Sequence, residues 1–193
     1  MPILVIGSLL AFSMDGKLAI GSKAPKTDLA VKDVSGKMVT LAQAAGDNGL
    51  LVIFSCNTCP WVKAWEGRYD GLAKAAKKQG IGMIALNPNE AYRSRGDSFD
   101  DMKAQAAEHK YAFPYALDKD HVLADAFGAT RTPDVFLFDK NLTLVYQGAI
   151  DDNARHPESV EKHFLIDAMR AMIAGKDIQP ETTKSIGCTI KRG

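Results

Sequence analysis

The feature that most constrains this chain is a Cys-x-x-Cys motif, from Cys56 to Cys59, that joins a strand pattern to a helix pattern. It follows an uninterrupted apolar run over residues 50–54, which is typical of a strand buried on both faces. Apolar residues at helical spacing begin at Trp61, and Pro60 suits the first turn of a helix, where a missing N–H costs least. The sequence therefore predicts a strand that delivers two thiols to the start of a helix.

Two thiols in this position favour dithiol–disulfide chemistry. The first N–H groups of a helix are unpaired, and the helix dipole is positive there. We therefore expect Cys56, which leads the motif, to be the thiolate that attacks a disulfide. Cys59, about one helical turn further on, is expected to resolve the mixed disulfide formed on Cys56.

A Cys-x-x-Cys pair is also half of a structural zinc site, which needs four ligands and usually a second pair at similar spacing. The chain has one further cysteine, Cys188, and four histidines that are scattered singly. Redox chemistry is therefore the favoured interpretation. We expect neither a metal nor an organic cofactor.

Composition narrows the class of protein. With 193 residues, 46% of them hydrophobic, the chain can bury a full core as one domain. There are 24 Lys plus Arg against 23 Asp plus Glu, and no basic patch interleaved with aromatic residues, which argues against nucleic acid as a partner. We expect a single domain over residues 1–193, with residues 1–17 as an N-terminal extension and residues 176–193 as a tail.

The N-terminal extension leaves the compartment open. Residues 3–12 are apolar and overlap a small-x-small pattern at residues 11–13, but no Lys or Arg precedes them, as a signal peptide would require. The stretch is too short to span a bilayer, so no membrane partner is expected. Both a cytoplasmic and an exported or periplasmic protein fit this pattern.

The rest of the chain alternates strand and helix patterns. We predict strands over residues 27–34, 38–41, 50–54, 81–86, 113–117, 134–138 and 142–147. Helices are predicted over residues 61–79, 98–109, 121–127 and 157–174, with Ser98 as an N-cap and Asp101 completing its capping box.

This order, with Thr132-Pro133 just before the last hairpin, resembles the thioredoxin fold. The resemblance implies an α/β protein whose central mixed β-sheet is flanked by helices, and a cis peptide bond before Pro133 that faces the active-site disulfide. Five spaced motifs extend the resemblance to the peroxiredoxin-like (alkyl hydroperoxide reductase/thiol-specific antioxidant-like) redoxins of the thioredoxin superfamily, which carry a helical insertion. They span residues 54–63, 85–89, 132–139, 146–152 and 185–191, and the resemblance covers about residues 18–192.

The motif departs from both groups that it resembles. Thioredoxins have Gly-Pro between the cysteines and a buried acid six residues before the first, whereas this chain has Asn57-Thr58 and Leu50. The peroxidatic cysteine of peroxiredoxins would align with Cys59, but the Thr and Pro of their motif are replaced by Cys56 and Val52.

Four further residues are candidates for the site. Thr132 and Pro133 are expected to shape a groove in which the backbone of Thr132 pairs with an extended substrate. Trp61 is expected to form an apolar collar, and Arg131 could lend positive charge to a thiolate or a substrate anion. Cys188 could be a second resolving cysteine, but we expect its tail to hold it beyond disulfide-bonding distance of the motif.

The favoured function is a thiol–disulfide oxidoreductase that acts on a protein or small-molecule disulfide and is served by an external dithiol reductant. One alternative is a thiol peroxidase, in which Cys56 or Cys59 is oxidised to a sulfenic acid. A second alternative is a metallochaperone, because two thiolates at this spacing can bind Cu(I).

Overall fold

A computed structural model describes Ala11 and residues 16–193. The apolar stretch over residues 3–12, on which the compartment prediction rests, lies outside these described residues except for Ala11. Within the described part of the chain, no helix combines the length and the apolar character needed to cross a lipid bilayer.

The described chain forms nine strands and six α-helices. The strands are β1 (Val31–Asp33), β2 (Met38–Val39), β3 (Gly49–Phe54), β4 (Ile81–Asn87), β5 (Tyr115–Leu117), β6 (Arg131–Thr132), β7 (Asp134–Asp139), β8 (Leu144–Gly148) and β9 (Cys188–Thr189). The helices are α1 (Leu41–Ala44), α2 (Pro60–Glu66), α3 (Tyr69–Lys78), α4 (Phe99–Glu108), α5 (Val122–Phe127) and α6 (Phe164–Ile173).

The main sheet is mixed, as the sequence predicts. Its strands run in the orders β2-β1-β5-β4 and β3-β7-β8, and β4 pairs with β5 in parallel while the other pairs are antiparallel. The two groups meet between β3 and β4, where the Ser55 N–H donates to the Leu86 carbonyl at 2.8 Å. A separate antiparallel pair joins β6, just before Pro133, to β9 in the C-terminal tail.

Strand β3 is buried along its whole length, because apolar clusters cover both of its faces. Leu50, Val52 and Phe54 pack on one side with residues of α5 and β7, whereas Leu51 and Ile53 pack on the other side with residues of α2, α3 and α6. Alternate side chains of a strand point to opposite faces, so an unbroken apolar run serves both clusters. The strand that leads into the Cys-x-x-Cys motif is therefore held rigidly at the centre of the core.

The helix predicted over residues 61–79 is two helices. At the break, the Arg68 N–H donates to the Trp65 carbonyl, three residues back, at 2.9 Å. The Arg68 side chain is fixed by the carbonyls of Asn153 and Ala154, at 2.6 and 3.1 Å, and by the Asp151 carboxylate at 3.0 Å. These contacts of Arg68 with a distant loop separate α2 from α3. They cannot be predicted from the helical periodicity of the local sequence.

The helix predicted over residues 157–174 begins later than expected. Pro157 opens a single 3₁₀ turn that ends at Ser159, and α6 starts only at Phe164. Between them, the backbone of Glu161 and Lys162 bonds to Asp152, at 3.1 and 3.2 Å. These bonds to a preceding loop hold the segment extended. The strand predicted over residues 38–41 is also shorter, because Thr40 caps α1 with a complete capping box.

The predicted N-cap of α4 is confirmed. Ser98 accepts a hydrogen bond from the Asp101 N–H at 3.1 Å, and the Asp101 carboxylate accepts from the Ser98 N–H at 3.0 Å. We expect Ser98→Ala to lower the free energy of unfolding by about 1 kcal/mol, because the helix loses a partner for an otherwise unpaired N–H. Urea unfolding checks this value, and Ser98→Thr, which retains the cap, is the control. Equal midpoints for Ser98→Ala and the wild type would contradict the assignment.

Candidate active site

The Cys-x-x-Cys motif lies in a short loop between β3 and α2. Cys59 is the N-cap of α2 and Pro60 is its first residue, while Cys56 sits three residues earlier, close to the end of the strand. The expectation that Cys56 stands at the start of the helix is therefore wrong. Residues 55–59 form the turn from the sheet into the helix. Cys59, and not Cys56, is therefore the cysteine at the start of the helix.

The loop is held by Asp97, a fully buried carboxylate just before α4. It accepts hydrogen bonds from the Asn57 N–H and the Thr58 hydroxyl, both at 2.7 Å. Asn87 and Asn89, beyond β4, donate to it through their side-chain amides at 2.9 and 3.0 Å. Four donors compensate the buried charge and fix the residues between the two cysteines.

Sequence reasoning missed Asp97, although it predicted the helix that begins two residues later, at Phe99. The Arg93 guanidinium completes the network, because it donates to the Asp97 carbonyl at 2.9 Å and to the Asn87 side chain and carbonyl at 3.0 and 2.8 Å. Residues 85–89 are one of the motifs that carry the family resemblance, and this motif contains Asn87 and Asn89. No sequence pattern pairs them with Asp97.

Thr132 touches both thiols of the motif. Its hydroxyl lies 3.1 Å from Cys56 Sγ, and its carbonyl lies 3.2 Å from Cys59 Sγ, where it accepts a hydrogen bond from the protonated thiol. Cys56 is fully buried and Cys59 is only 3% exposed. The peptide bond between Thr132 and Pro133 is cis. The structure thus brings together the two segments that the sequence marked as one site.

The surroundings of the two sulfurs differ. The pKa of Cys59 falls to about 5, because the Cys56 thiol donates a hydrogen bond to it, and because the Cys188 side chain and the backbone N–H groups of Val62 and Cys188 donate as well. These donors outweigh burial, which opposes a thiolate. The pKa of Cys56 is raised well above its ordinary value by its bond to Cys59, by burial and by the Asp97 charge.

The directions of the two pKa shifts favour Cys59 over Cys56 as the thiolate, whereas the sequence predicts Cys56. When two sulfurs share one proton, the sulfur that accepts more hydrogen bonds from other groups is the one that carries the negative charge. Cys56 has the Asp97 charge nearby, whereas Cys59 has three further donors.

Cys188 lies against the motif, so the prediction that it is out of reach is wrong. Strand β9 pairs antiparallel with β6, which places Cys188 opposite Thr132. Its side chain packs against the cluster formed by Cys56, Cys59 and Val62. After α6, the tail returns to the edge of β6, the strand just before Pro133. This long-range pairing cannot be predicted from a local sequence pattern.

The tail is anchored on both sides of Cys188. Before it, the Ser185 hydroxyl donates to the buried Asp134 carboxylate at 2.5 Å, and the Gly187 backbone lies so close to Thr132 that a Cβ there would sit 2.4 Å from the Thr132 carbonyl oxygen. After it, the Ile190 N–H donates to the Thr130 carbonyl at 3.0 Å. Cys188 is thus held in place as part of the site.

Of the two other candidate residues, Trp61 lies against the thiols and Arg131 does not. The Arg131 side chain is exposed and donates to the Gly187 carbonyl at 3.0 Å, so it supports the tail and does not contact a thiolate. Trp61 packs against the thiol cluster, with the Arg155 guanidinium 5.0 Å above its ring. This placement fits the expected apolar collar.

The pairing of β6 with β9 also closes the expected groove. Thr132 is fully buried, and its backbone edge is occupied by Cys188 of the same chain. An extended substrate cannot add to that edge while the tail is in place. Among residues 16–193, no group of three or more His, Cys, Asp or Glu side chains is arranged to hold a metal ion.

Comparison with known proteins places this site in a family. The model of the AhpC/TSA family matches residues 20–147, which include the Cys-x-x-Cys motif and Pro133. Two thiol-disulfide oxidoreductases named ResA are similar in sequence. That of Geobacillus kaustophilus is 26% identical over 154 residues, covering 78% of this chain and 83% of its own length. That of Bacillus thuringiensis is 26% identical over 144 residues, covering 70% and 73%.

Solved structures agree on the fold. A hypothetical protein from Sinorhizobium meliloti superposes with a TM-score of 0.83 and 32% identity, over 91% of this chain and 96% of its own. Peroxiredoxin Q of Xanthomonas campestris has a TM-score of 0.61 and 20% identity, over 83% of this chain and 99% of its own, and shares the fold. The predicted thioredoxin-type fold and the thiol oxidoreductase class are confirmed, and the chain belongs to the AhpC/TSA family.

Proposed function

We propose that Cys59 and Cys56 form the dithiol–disulfide couple of a thiol–disulfide oxidoreductase, in which Cys59 attacks and Cys56 resolves. The observation that carries this proposal is the packing of the two buried thiols against each other, against Thr132 and against Cys188. The lowered pKa of Cys59 and the raised pKa of Cys56 support the order of attack. The similarity to thiol-disulfide oxidoreductases over most of the chain supports the same class of reaction.

The first step is attack by the Cys59 thiolate on one sulfur of a substrate disulfide. A Cys59–substrate disulfide forms, and the other substrate sulfur leaves as a thiolate and takes up a proton. The bond from Cys56 to the Cys59 thiolate is the main cause of the raised Cys56 pKa, and the mixed disulfide removes that charge. Cys56 then ionises more readily, which prepares the second step.

In the second step the Cys56 thiolate attacks Cys59 Sγ. The second substrate sulfur leaves, and the products are one Cys56–Cys59 disulfide and a substrate reduced by two electrons. An external dithiol returns those two electrons and restores the free thiols, the form that the structure shows.

The closed groove bears on the class of substrate. Both sulfurs of the motif are almost fully buried, and the tail occupies the Thr132 backbone edge. A compact, low-molecular-weight disulfide requires less displacement of the tail than an extended peptide does. We therefore propose a small disulfide, and not an unfolded chain, as the substrate.

A thiol peroxidase is the second candidate, because the chain belongs to the AhpC/TSA family and because the thiolate is the cysteine that aligns with the peroxidatic position. In that reaction the Cys59 thiolate attacks a peroxide oxygen, water or an alcohol leaves, and Cys56 condenses with the sulfenic acid to release water. The Thr of the peroxiredoxin motif is absent, since Cys56 takes its position.

The order of attack can be tested by trapping. We expect a Cys56→Ser/Cys188→Ser variant, treated with a small disulfide, to accumulate a mixed disulfide on Cys59, because no resolving thiol remains. A Cys59→Ser/Cys188→Ser variant should accumulate little adduct on Cys56, because the Cys56 thiol stays protonated. Mass spectrometry of peptide fragments locates the adduct, and intact secondary structure in both variants is the control. An adduct that forms faster on Cys56 would reverse the assignment.

The two candidate substrates can be separated in one experiment. Stopped-flow tryptophan fluorescence of the reduced protein follows its oxidation by hydrogen peroxide and, separately, by a small disulfide such as oxidised glutathione. We expect the second-order rate constant for the disulfide to exceed that for peroxide by about tenfold or more, because the peroxide-activating threonine is missing. A rate constant for peroxide above that for the disulfide would favour the peroxidase.

A further inference from the structure

The described chain holds three free thiols in contact, and they differ in access to solvent. Cys56 and Cys59 are buried, whereas Cys188 is partly exposed at the outer side of the cluster. An external reductant that approaches the site therefore meets Cys188 first. The reaction proposed above uses the two buried sulfurs and gives Cys188 no role beyond its hydrogen bonds to Cys59.

We propose that Cys188 is a third redox cysteine, which carries electrons from the external dithiol to the buried Cys56–Cys59 disulfide. This inference rests on the proposed function, because it assigns the return half of the same cycle. It is carried by the packing of Cys188 against the cluster that contains Cys56 and Cys59, by the strand pairing that fixes Cys188, and by its partial exposure.

The transfer begins with a disulfide exchange inside the protein. The Cys188 thiol loses its proton and attacks Cys59 Sγ of the Cys56–Cys59 disulfide. The Cys59–Cys188 bond forms, the Cys56–Cys59 bond breaks, and Cys56 leaves as a thiolate that takes up one proton. No electrons are gained or lost in this step, so it needs no co-reactant.

The external dithiol then completes the reduction. One of its thiolates attacks Cys188 Sγ, and Cys59 leaves as a thiolate. The second thiol of the reductant then attacks the reductant sulfur that is bonded to Cys188. Cys188 is released as a thiol, and the reductant leaves as a disulfide. Two electrons have passed from the dithiol to the protein. Cys59 is the better leaving group at the first of these steps, because a sulfur of low pKa leaves faster.

The backbone of the tail holds Cys188 close to the two buried thiols. Gly187 lets the backbone approach the Thr132 carbonyl more closely than any residue with a Cβ would allow. Ser185 and Ile190 fix the chain on either side. The exchange between Cys188 and Cys59 thus requires no large movement of the tail, whereas an external thiol that attacked Cys59 directly would have to displace it.

The test separates the two halves of the cycle. Wild type, Cys188→Ser and the control Thr189→Ser are oxidised with excess small disulfide, freed of it, and mixed with dithiothreitol in a stopped-flow instrument. We expect Cys188→Ser still to form the Cys56–Cys59 disulfide but to be reduced at least about tenfold more slowly than wild type, since the exposed entry point is lost. Thr189 is exposed on the same strand, so Thr189→Ser should match the wild type.

A second variant keeps the thiol but moves it. Gly187→Ala introduces a Cβ against the Thr132 carbonyl and should separate β9 from β6, so its reduction should be slowed as in Cys188→Ser. A third, Cys56→Ser, should yield a Cys59–Cys188 disulfide on oxidation, identified by peptide mass mapping. Wild-type reduction rates in Cys188→Ser, or no Cys59–Cys188 disulfide in Cys56→Ser, would overturn the inference.

The outcomes distinguish this inference from the proposed function. If Cys59→Ser is inactive while Cys188→Ser is reduced at the wild-type rate, the role of Cys188 falls and the two-cysteine reaction stands. If Cys59→Ser turns over a disulfide substrate, the proposed function itself falls.

Discussion

The contact between the buried thiols of Cys56 and Cys59 is the interaction on which the rest of the site depends. The pair shares one proton, so a group that stabilises charge on one sulfur keeps the proton on the other. The Asp97 charge lies near Cys56, while Val62 and Cys188 supply donors to Cys59. In the proposed reaction, this asymmetry makes one cysteine the attacking thiolate and leaves the other as a thiol, which ionises once the first has reacted.

This asymmetry depends on parts of the chain that are distant in sequence. Strand β3, buried on both faces, carries the loop, and Asp97 fixes the residues between the cysteines through two of its four hydrogen bonds. Thr132 and the tail close the other side. The site therefore exists only in the folded chain, and the tail covers the backbone edge of Thr132.

The sequence was sufficient for features that are set locally. The strand before the motif, the helix after it and the Ser98 cap follow from apolar periodicity and cap chemistry. The resemblance correctly placed Thr132 and Pro133 beside the cysteines. The start of α6 and the break at Arg68 were missed, because each is fixed by bonds to a loop far along the chain.

The positions of Cys56 and Cys188 also differ from those that the sequence predicts. The predicted helix start lies within one residue of the observed one, but no sequence pattern shows that Cys56 lies in the loop, three residues before the N-cap Cys59. The position of Cys188 depends on a two-residue strand pairing that brings the tail back to β6. Such a short pairing between segments so far apart has no periodicity from which to predict it.

The most direct test of this account is a pH titration of the thiolate in the reduced protein, followed by its ultraviolet absorbance. A transition near pH 5 is expected in the wild type, where Cys59 loses its proton on going to higher pH. The transition should be absent in Cys59→Ser and should move to higher pH in Cys56→Ala, because the strongest donor to the thiolate is then gone. Retention of the acidic transition in Cys59→Ser, together with its loss in Cys56→Ala, would show that Cys56 is the thiolate and would contradict the account.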